Sequence, residues 1–205
     1  MENGLFVKII FGIPAILLAL TVHEFFHGWT AWQFGDPTAK YENRLTLNPI
    51  AHLDPIGAGM LLVTMLFFGF PMGWAKPVPV VTANLANPRI NLPLVALAGP
   101  VSNLVLAFFA GLIYKFSLAI PIVPYFFLYF AMVNIGLALF NLLPVPPLDG
   151  WKIIQIFIPA DLSDRANYFI SANPHVSMIA LAVVVWLSGY ILMVPYTILY
   201  NLFIG

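Results

Sequence analysis

Long apolar runs alternate with short polar ones along this chain. The first apolar run covers about residues 5–32, and a polar stretch at 33–54 carries Asp36, Lys40, Glu42, Arg44 and Asp54. A shorter, glycine-interrupted apolar run covers 55–71, and a proline-rich segment covers 72–88. Further apolar runs cover about 90–117, 122–143 and 176–204. A helix needs about 20 apolar residues to cross bilayer hydrocarbon. The pattern therefore predicts an all-α membrane protein, a polytopic bundle of about five transmembrane segments, with one segment a candidate for re-entry. The first run is too long to stand upright, so it tilts or projects. The 122–143 run breaks at Pro144. A short amphipathic piece resumes at 151–159, followed by a polar connection with Asp161, Asp164 and Arg165. Gly189 and Pro195 predict a kink in the last run.

Composition agrees with this reading. Of 205 residues, 61% are apolar and 8% charged, against about a quarter charged in soluble domains. The formal net charge is zero, so no basic footprint for nucleic acid exists. The lack of cysteine excludes disulfides, thiolate metal sites and cysteine nucleophiles. No linker or long charge run divides the chain, which predicts a single domain over 1–205. Lys40 and Arg44 are balanced by Lys76 and Arg89, so the positive-inside rule selects no orientation.

Ionisable residues inside a span are costly and mark function. The first run contains His23-Glu24-Phe25-Phe26-His27. Histidines at i and i+4 share one helix face, where two imidazoles can grip one metal ion. Glu24 adjoins the first of them, placed to act as a general base. This is the H-E-x-x-H arrangement of zinc metalloproteases. A bland alternative is three polar groups packed against a neighbouring helix; the apolar flanks mean that they need a metal, each other or a hydrated cavity.

A catalytic zinc site usually takes three protein ligands, and His52, Asp54, Asp149 and His175 are available as the third. Asp149 ends the run Asn141-Leu142-Leu143-Pro144-Val145-Pro146-Pro147-Leu148-Asp149-Gly150. Its prolines cannot remain helical, and backbone freed at membrane depth must be buried in protein or line a wet cavity. The alternative role for Asp149 is to N-cap the helix that follows. His52 and Asp54 read more readily as loop or cap residues, and His175 as structural.

Residues 73–80 read as a short extended segment. Successive N–H groups of a strand point to opposite edges, so Pro77 and Pro79 remove donors from one edge while Val78 and Val80 keep theirs on the other. Such an edge can pair with an unwound substrate; the alternative is an interfacial loop anchored by Trp74. Asn103 and Asn141 are amides within apolar runs. They read as substrate-backbone or oxyanion contacts or as interhelical hydrogen bonds. Gly99-Pro100 reads as a close helix approach.

The chain resembles the site-2 proteases, intramembrane zinc metalloproteases that pair H-E-x-x-H with a distant N-x-x-P-x-P-x-x-D-G. Here these motifs are His23 to His27 and Asn141 to Gly150. The stretches Gly35-Asp36-Pro37-Thr38-Ala39-Lys40, Asn43-Arg44-Leu45-Thr46-Leu47-Asn48-Pro49, Gly73-Trp74-Ala75-Lys76-Pro77-Val78-Pro79-Val80 and Ala98-Gly99-Pro100-Val101-Ser102-Asn103 resemble a compact prokaryotic branch without a PDZ or C-terminal regulatory domain. The resemblance implies that His23, His27 and Asp149 hold one Zn2+ per chain and that Glu24 is the catalytic base. It implies a multi-pass protein of a prokaryotic cell membrane, surrounded by membrane lipid, acting on transmembrane protein substrates. Two other classes compete. A metal transporter would also place ligands on a broken helix, but gives no reason for Glu24 beside His23. A catalytically dead scaffold needs none of the four residues.

Overall fold

The structure, a computed structural model, describes residues 8–68 and 73–205. Residues 5–7 of the first apolar run, 69–71 of the second and Met72 of the proline-rich segment lie outside the described residues. After a π-helical turn at Lys8–Gly12, helix α1 spans Ile13–Gln33, followed by the one-turn helix α2 at Thr38–Tyr41. A 3₁₀ turn at Pro49–His52 leads to α3 at Pro55–Phe68. Then come α4, Pro88–Phe116; α5, Val123–Asn141; and α6, Asp149–Ile154. The chain ends with α7, Ala160–Ala172; α8, Pro174–Ile191; and α9, Met193–Phe203.

Among the described residues, four helices are long and apolar enough to cross a membrane: Ile9–Gln33, Pro88–Phe116, Val123–Asn141 and Pro174–Ile191. Helix α3 has 14 residues, about 21 Å at 1.5 Å per residue, short of the roughly 30 Å hydrocarbon core. The kink expected near Pro195 is a break between Ile191 and Met193. The proline ring clashes with the carbonyl four residues earlier, which is that of Ile191. The connection expected at 161–165 is instead the amphipathic helix α7. Span-scale hydropathy hides it, because its polar face cancels Leu162, Tyr168 and Phe169, all exposed.

The centre of the molecule is α1, α4 and α5, which pack on one another. Their contact faces are small: Ala15, Ala19 and Ala31 on α1, Ala96, Ala107 and Ala110 on α4, and Ala131 and Ala138 on α5 are buried. Lipid tails are as apolar as leucine, so close backbone approach by small residues drives such packing. The large side chains face outward, among them Phe109, Phe116, Trp186 and Met178.

No strand occurs among the described residues. Residues 75–81 run extended, joined to the 3₁₀ turn by a bridge between Leu53 and Ala75 and by the Lys76 N–H, which donates to the His52 carbonyl at 2.9 Å.

Candidate metal centre

Helix α1 carries His23, Glu24 and His27 within little more than one turn. Six residues separate His27 from the end of α1, so the site lies about 9 Å or more along the helix from that end. Helix α5 stops at Asn141, the proline turn follows, and α6 opens with Asp149 at its first residue. The histidine pair of α1 and the first residue of α6 meet. Asp149 Oδ2 lies 3.1 Å from Nε2 of His23 and 3.1 Å from Nε2 of His27, and the two Nε2 atoms are 2.9 Å apart. Among the described residues these three form the group able to hold a metal ion. All three are buried. Asp149 makes no capping bond, since the N-cap position is Leu148.

The tautomers follow from the outer partners. His23 Nδ1 donates to Asn103 Oδ1 at 2.6 Å, and His27 Nδ1 donates to the Val95 carbonyl at 2.7 Å. The Asn103 amide is fixed in turn: its Nδ2 donates to the Ala19 carbonyl at 3.2 Å and to Asn134 Oδ1 at 2.7 Å. Asn134 Nδ2 donates to the Phe130 carbonyl at 2.8 Å. With both Nδ1 atoms protonated, each Nε2 presents a lone pair. Two lone pairs and a carboxylate oxygen then face one another at hydrogen-bond distance with no proton between them. Three acceptors in that position suit a shared cation. A spacing near 3 Å suits ligands held about 2.0–2.1 Å from one ion. The donor set therefore fits zinc, with the outer-sphere bonds that metal-ligating histidines need.

Helix α4 reaches the histidines at Gly99. A Cβ there would lie 2.5 Å from His27 Nε2 and 2.7 Å from His23 Cε1. The close approach expected of Gly99-Pro100 is thus to the imidazoles themselves.

An open cleft of about 380 Å³ exposes the site. It is lined by His23, Glu24, His27 and Asp149 and by Pro77, Val78 and Val80. Asn141 and Lys152 also line it. Asn141 Nδ2 donates to the Leu137 carbonyl of its own helix at 3.0 Å.

Two expectations about substrate contact need correction. Asn103 is fully buried and every polar atom of its amide is engaged behind His23, so it has no group left for substrate. The Val78 N–H is not a free pairing donor; it donates to Glu24 Oε2 at 2.7 Å. Val80 keeps its place on the cleft wall.

The other ligand candidates lie elsewhere. His52 is buried with Nε2 donating to the Thr46 carbonyl at 2.8 Å. Asp54 accepts the N–H groups of Ile56 and Gly57 at the start of α3. His175 is exposed at the first turn of α8. Lys152, which the motifs did not single out, places Nζ 3.4 Å from Asp149 Oδ1. Its signal was the i, i+3 spacing from Asp149.

Beyond α1, Asp36 is fully buried and accepts four hydrogen bonds, from the Thr38 N–H and hydroxyl, the Val81 N–H and Asn84 Nδ2. Burial alone would raise its pKa. The bonds from Asn84, Thr38 and Val81 outweigh burial and hold the carboxyl below its ordinary value.

A histidine pair one helical turn apart, an adjoining glutamate, a carboxylate from a broken helix and a bundle of apolar spans together define a class: a multi-pass membrane metallopeptidase. Relatives agree. Residues 116–187 match Peptidase family M50. The chain is 44% identical over 156 residues to the protein of Bacillus subtilis named "Putative zinc metalloprotease YwhC", an overlap covering 72% of this chain and 68% of that one. It is 33% identical over 157 residues to the proteins named "Putative zinc metalloprotease Rip2" of Mycolicibacterium smegmatis and Mycobacterium tuberculosis, covering 74% of this chain and 58% of each relative. The chain belongs to Peptidase family M50, the site-2 protease family. No solved structure matches it.

Proposed function

We propose that this metalloprotease hydrolyses peptide bonds of membrane-spanning proteins within or at the edge of the bilayer of a prokaryotic cell. In this reading one zinc ion is held by His23, His27 and Asp149, and the whole of 1–205 acts as one catalytic domain. The observation that carries it is the triangle of three facing acceptors, 2.9 to 3.1 Å on each edge, beside Glu24 on an open cleft within membrane spans.

Zinc, when bound, supplies Lewis acidity that lowers the pKa of a water and polarises a carbonyl. The protein does the rest. The Asn103 and Val95 oxygens keep both Nδ1 protons in place, so both Nε2 lone pairs stay directed at the site. Asp149 gives one oxygen to the histidine side and the other to Lys152. Glu24 takes the proton of the attacking water and delivers it to the leaving amine. A helical substrate hides its carbonyls in backbone hydrogen bonds, so it must unwind locally to reach the cleft. Asn141 and Val80 are the proposed substrate contacts there.

The test is zinc content beside cleavage of a membrane-embedded substrate by the same detergent-purified preparation. One zinc per chain and cleavage abolished by a chelator are expected. A preparation with no zinc, or one that cleaves equally well after zinc is stripped, contradicts the reading. A metal transporter would move zinc across a vesicle and leave the substrate intact.

A further inference from the structure

Residues 75–81 form a strap tied to three parts of the molecule. The Lys76 N–H donates to the His52 carbonyl. Arg44 Nη2 donates to the carbonyls of Lys76 at 2.7 Å and Pro77 at 3.4 Å. At the far end, the Val81 N–H donates to Asp36 Oδ2 at 2.6 Å. Between these ties Val78 rests on α1 at Gly28, where a Cβ would come within 2.9 Å of Val78 Cγ1. There its N–H meets Glu24 Oε2 at 2.7 Å.

The ties use expensive groups. Arg44 is buried, and among the described residues no carboxylate pairs with it; its partners are the strap's carbonyls. Burying a guanidinium is costly unless it is well bonded. Asp36 is buried completely at the opposite end. Pro77 and Pro79 have no N–H, so within 77–80 Val78 and Val80 are the donors, and Val78 is the one that meets Glu24. A glutamate side chain has three rotatable bonds. One charge-assisted bond from a fixed amide selects one orientation and leaves Oε1 without a hydrogen bond among the described residues.

We propose that Arg44 and Asp36 are positioning residues for peptide hydrolysis: they hold the strap, and through the Val78 N–H the strap holds Glu24 in the orientation from which it acts as base. The inference rests on the reading of Glu24 as base. A displacement of about 1 Å in a catalytic group can cost up to 100-fold in rate, so the strap's placement governs turnover without touching substrate chemistry directly.

The experiment uses the full, zinc-loaded chain reconstituted in vesicles with a membrane-embedded peptide substrate. Arg44→Gln is expected to lower kcat by about 10- to 100-fold with zinc content unchanged, and Arg44→Lys to recover most of it by reaching one carbonyl. Glu24→Asp shortens the carboxylate beyond reach of Val78. Arg44→Gln in that background should cost almost nothing more, whereas a merely structural role would cost the same again.

A second measurement is independent of activity and of whether the Arg44 variants fold. Residues 77–80 contain two amide protons, those of Val78 and Val80, so hydrogen exchange of this stretch is simple to read. The Val78 amide should exchange faster in Glu24→Ala than in the unaltered protein. Equal exchange overturns the inference, and so does full additivity with Glu24→Asp. Impaired Glu24→Asp with normal kcat in Arg44→Gln overturns the strap inference alone. A fully active Glu24→Asp, which keeps a carboxylate but loses the Val78 bond, overturns the strap inference alone, whereas a fully active, zinc-loaded Glu24→Gln overturns the assignment of the base and the inference with it.

Discussion

Each imidazole of the site is oriented from behind, His23 by the Asn134–Asn103 relay and His27 by the Val95 carbonyl. Removing such an outer partner typically costs about 10–100-fold in metal affinity. Asn103→Ala should therefore weaken zinc by about that factor, measured by competition with a chelator, because the His23 Nδ1 proton loses its acceptor. Gly99→Ala is a harsher test of the same packing. Its methyl would overlap His27 Nε2 at 2.5 Å, so zinc content and cleavage should fall together; full occupancy would show that α4 yields more easily than its packing implies. His23, Glu24, His27 and Asp149 stood out in sequence because an ionisable group inside an apolar run is too costly to keep without a task, and the structure brings His23, His27 and Asp149 together. Asn103 was legible as important and wrongly placed. An amide in a span looks the same whether it faces substrate or a ligand's far nitrogen, and Asn134, its partner, stands in no motif. Asp36 and Arg44 sat in recognisable stretches, but nothing in their spacing shows that both fasten residues 75–81.

The helices that cross the bilayer were readable from hydropathy, since length and apolarity are all that a span requires. Two other elements were not. Helix α7 has a mixed face that averages to nothing, and it is fixed by long-range bonds such as Trp151 Nε1 to Asn167 Oδ1 at 3.0 Å. The strap was read as extended, but its pairing edge was expected to be open, and the Glu24 bond is a tertiary contact that no local pattern encodes. The Asp36 end of the strap has a pH signature. Because the folded pKa is lowered from 3.8, the clamp contributes fully above the unfolded value and is lost as pH falls through the lower folded one. Protection of the Val81 amide should hold from neutral pH down to about pH 5 and fade only below about pH 4. Asp36→Asn should lose that protection throughout. Fading near neutral pH in the unaltered protein would contradict the clamp.

At the scale of the whole molecule, the connections define two membrane faces. The Ala86 N–H donates to the Phe34 carbonyl at 2.9 Å, tying the start of α4 to the end of α1, and Arg89 Nη2 lies 3.4 Å from the Ile158 carbonyl just before α7. The polar loop after α1, the start of α4 and α7 therefore share one face, and the 117–122 turn after α4 lies on the other. With no native cysteine, Glu42→Cys, Asp164→Cys and Leu118→Cys can each be labelled singly in sealed vesicles. The first two should react from one side and the third from the other; any other grouping breaks the topology. That arrangement sets His23, Glu24 and His27 below one face, along α1. The most direct test of the account removes the base and keeps its shape. Glu24→Gln preserves size and can still accept a hydrogen bond from Val78, but it cannot take a proton. A general base contributes about 10²–10⁴-fold in rate. The measurement is cleavage of a membrane-embedded substrate by the Gln variant at zinc content equal to that of the unaltered protein. The account predicts a loss of at least about 10²-fold with zinc retained; an unaltered rate from the zinc-loaded variant would contradict it.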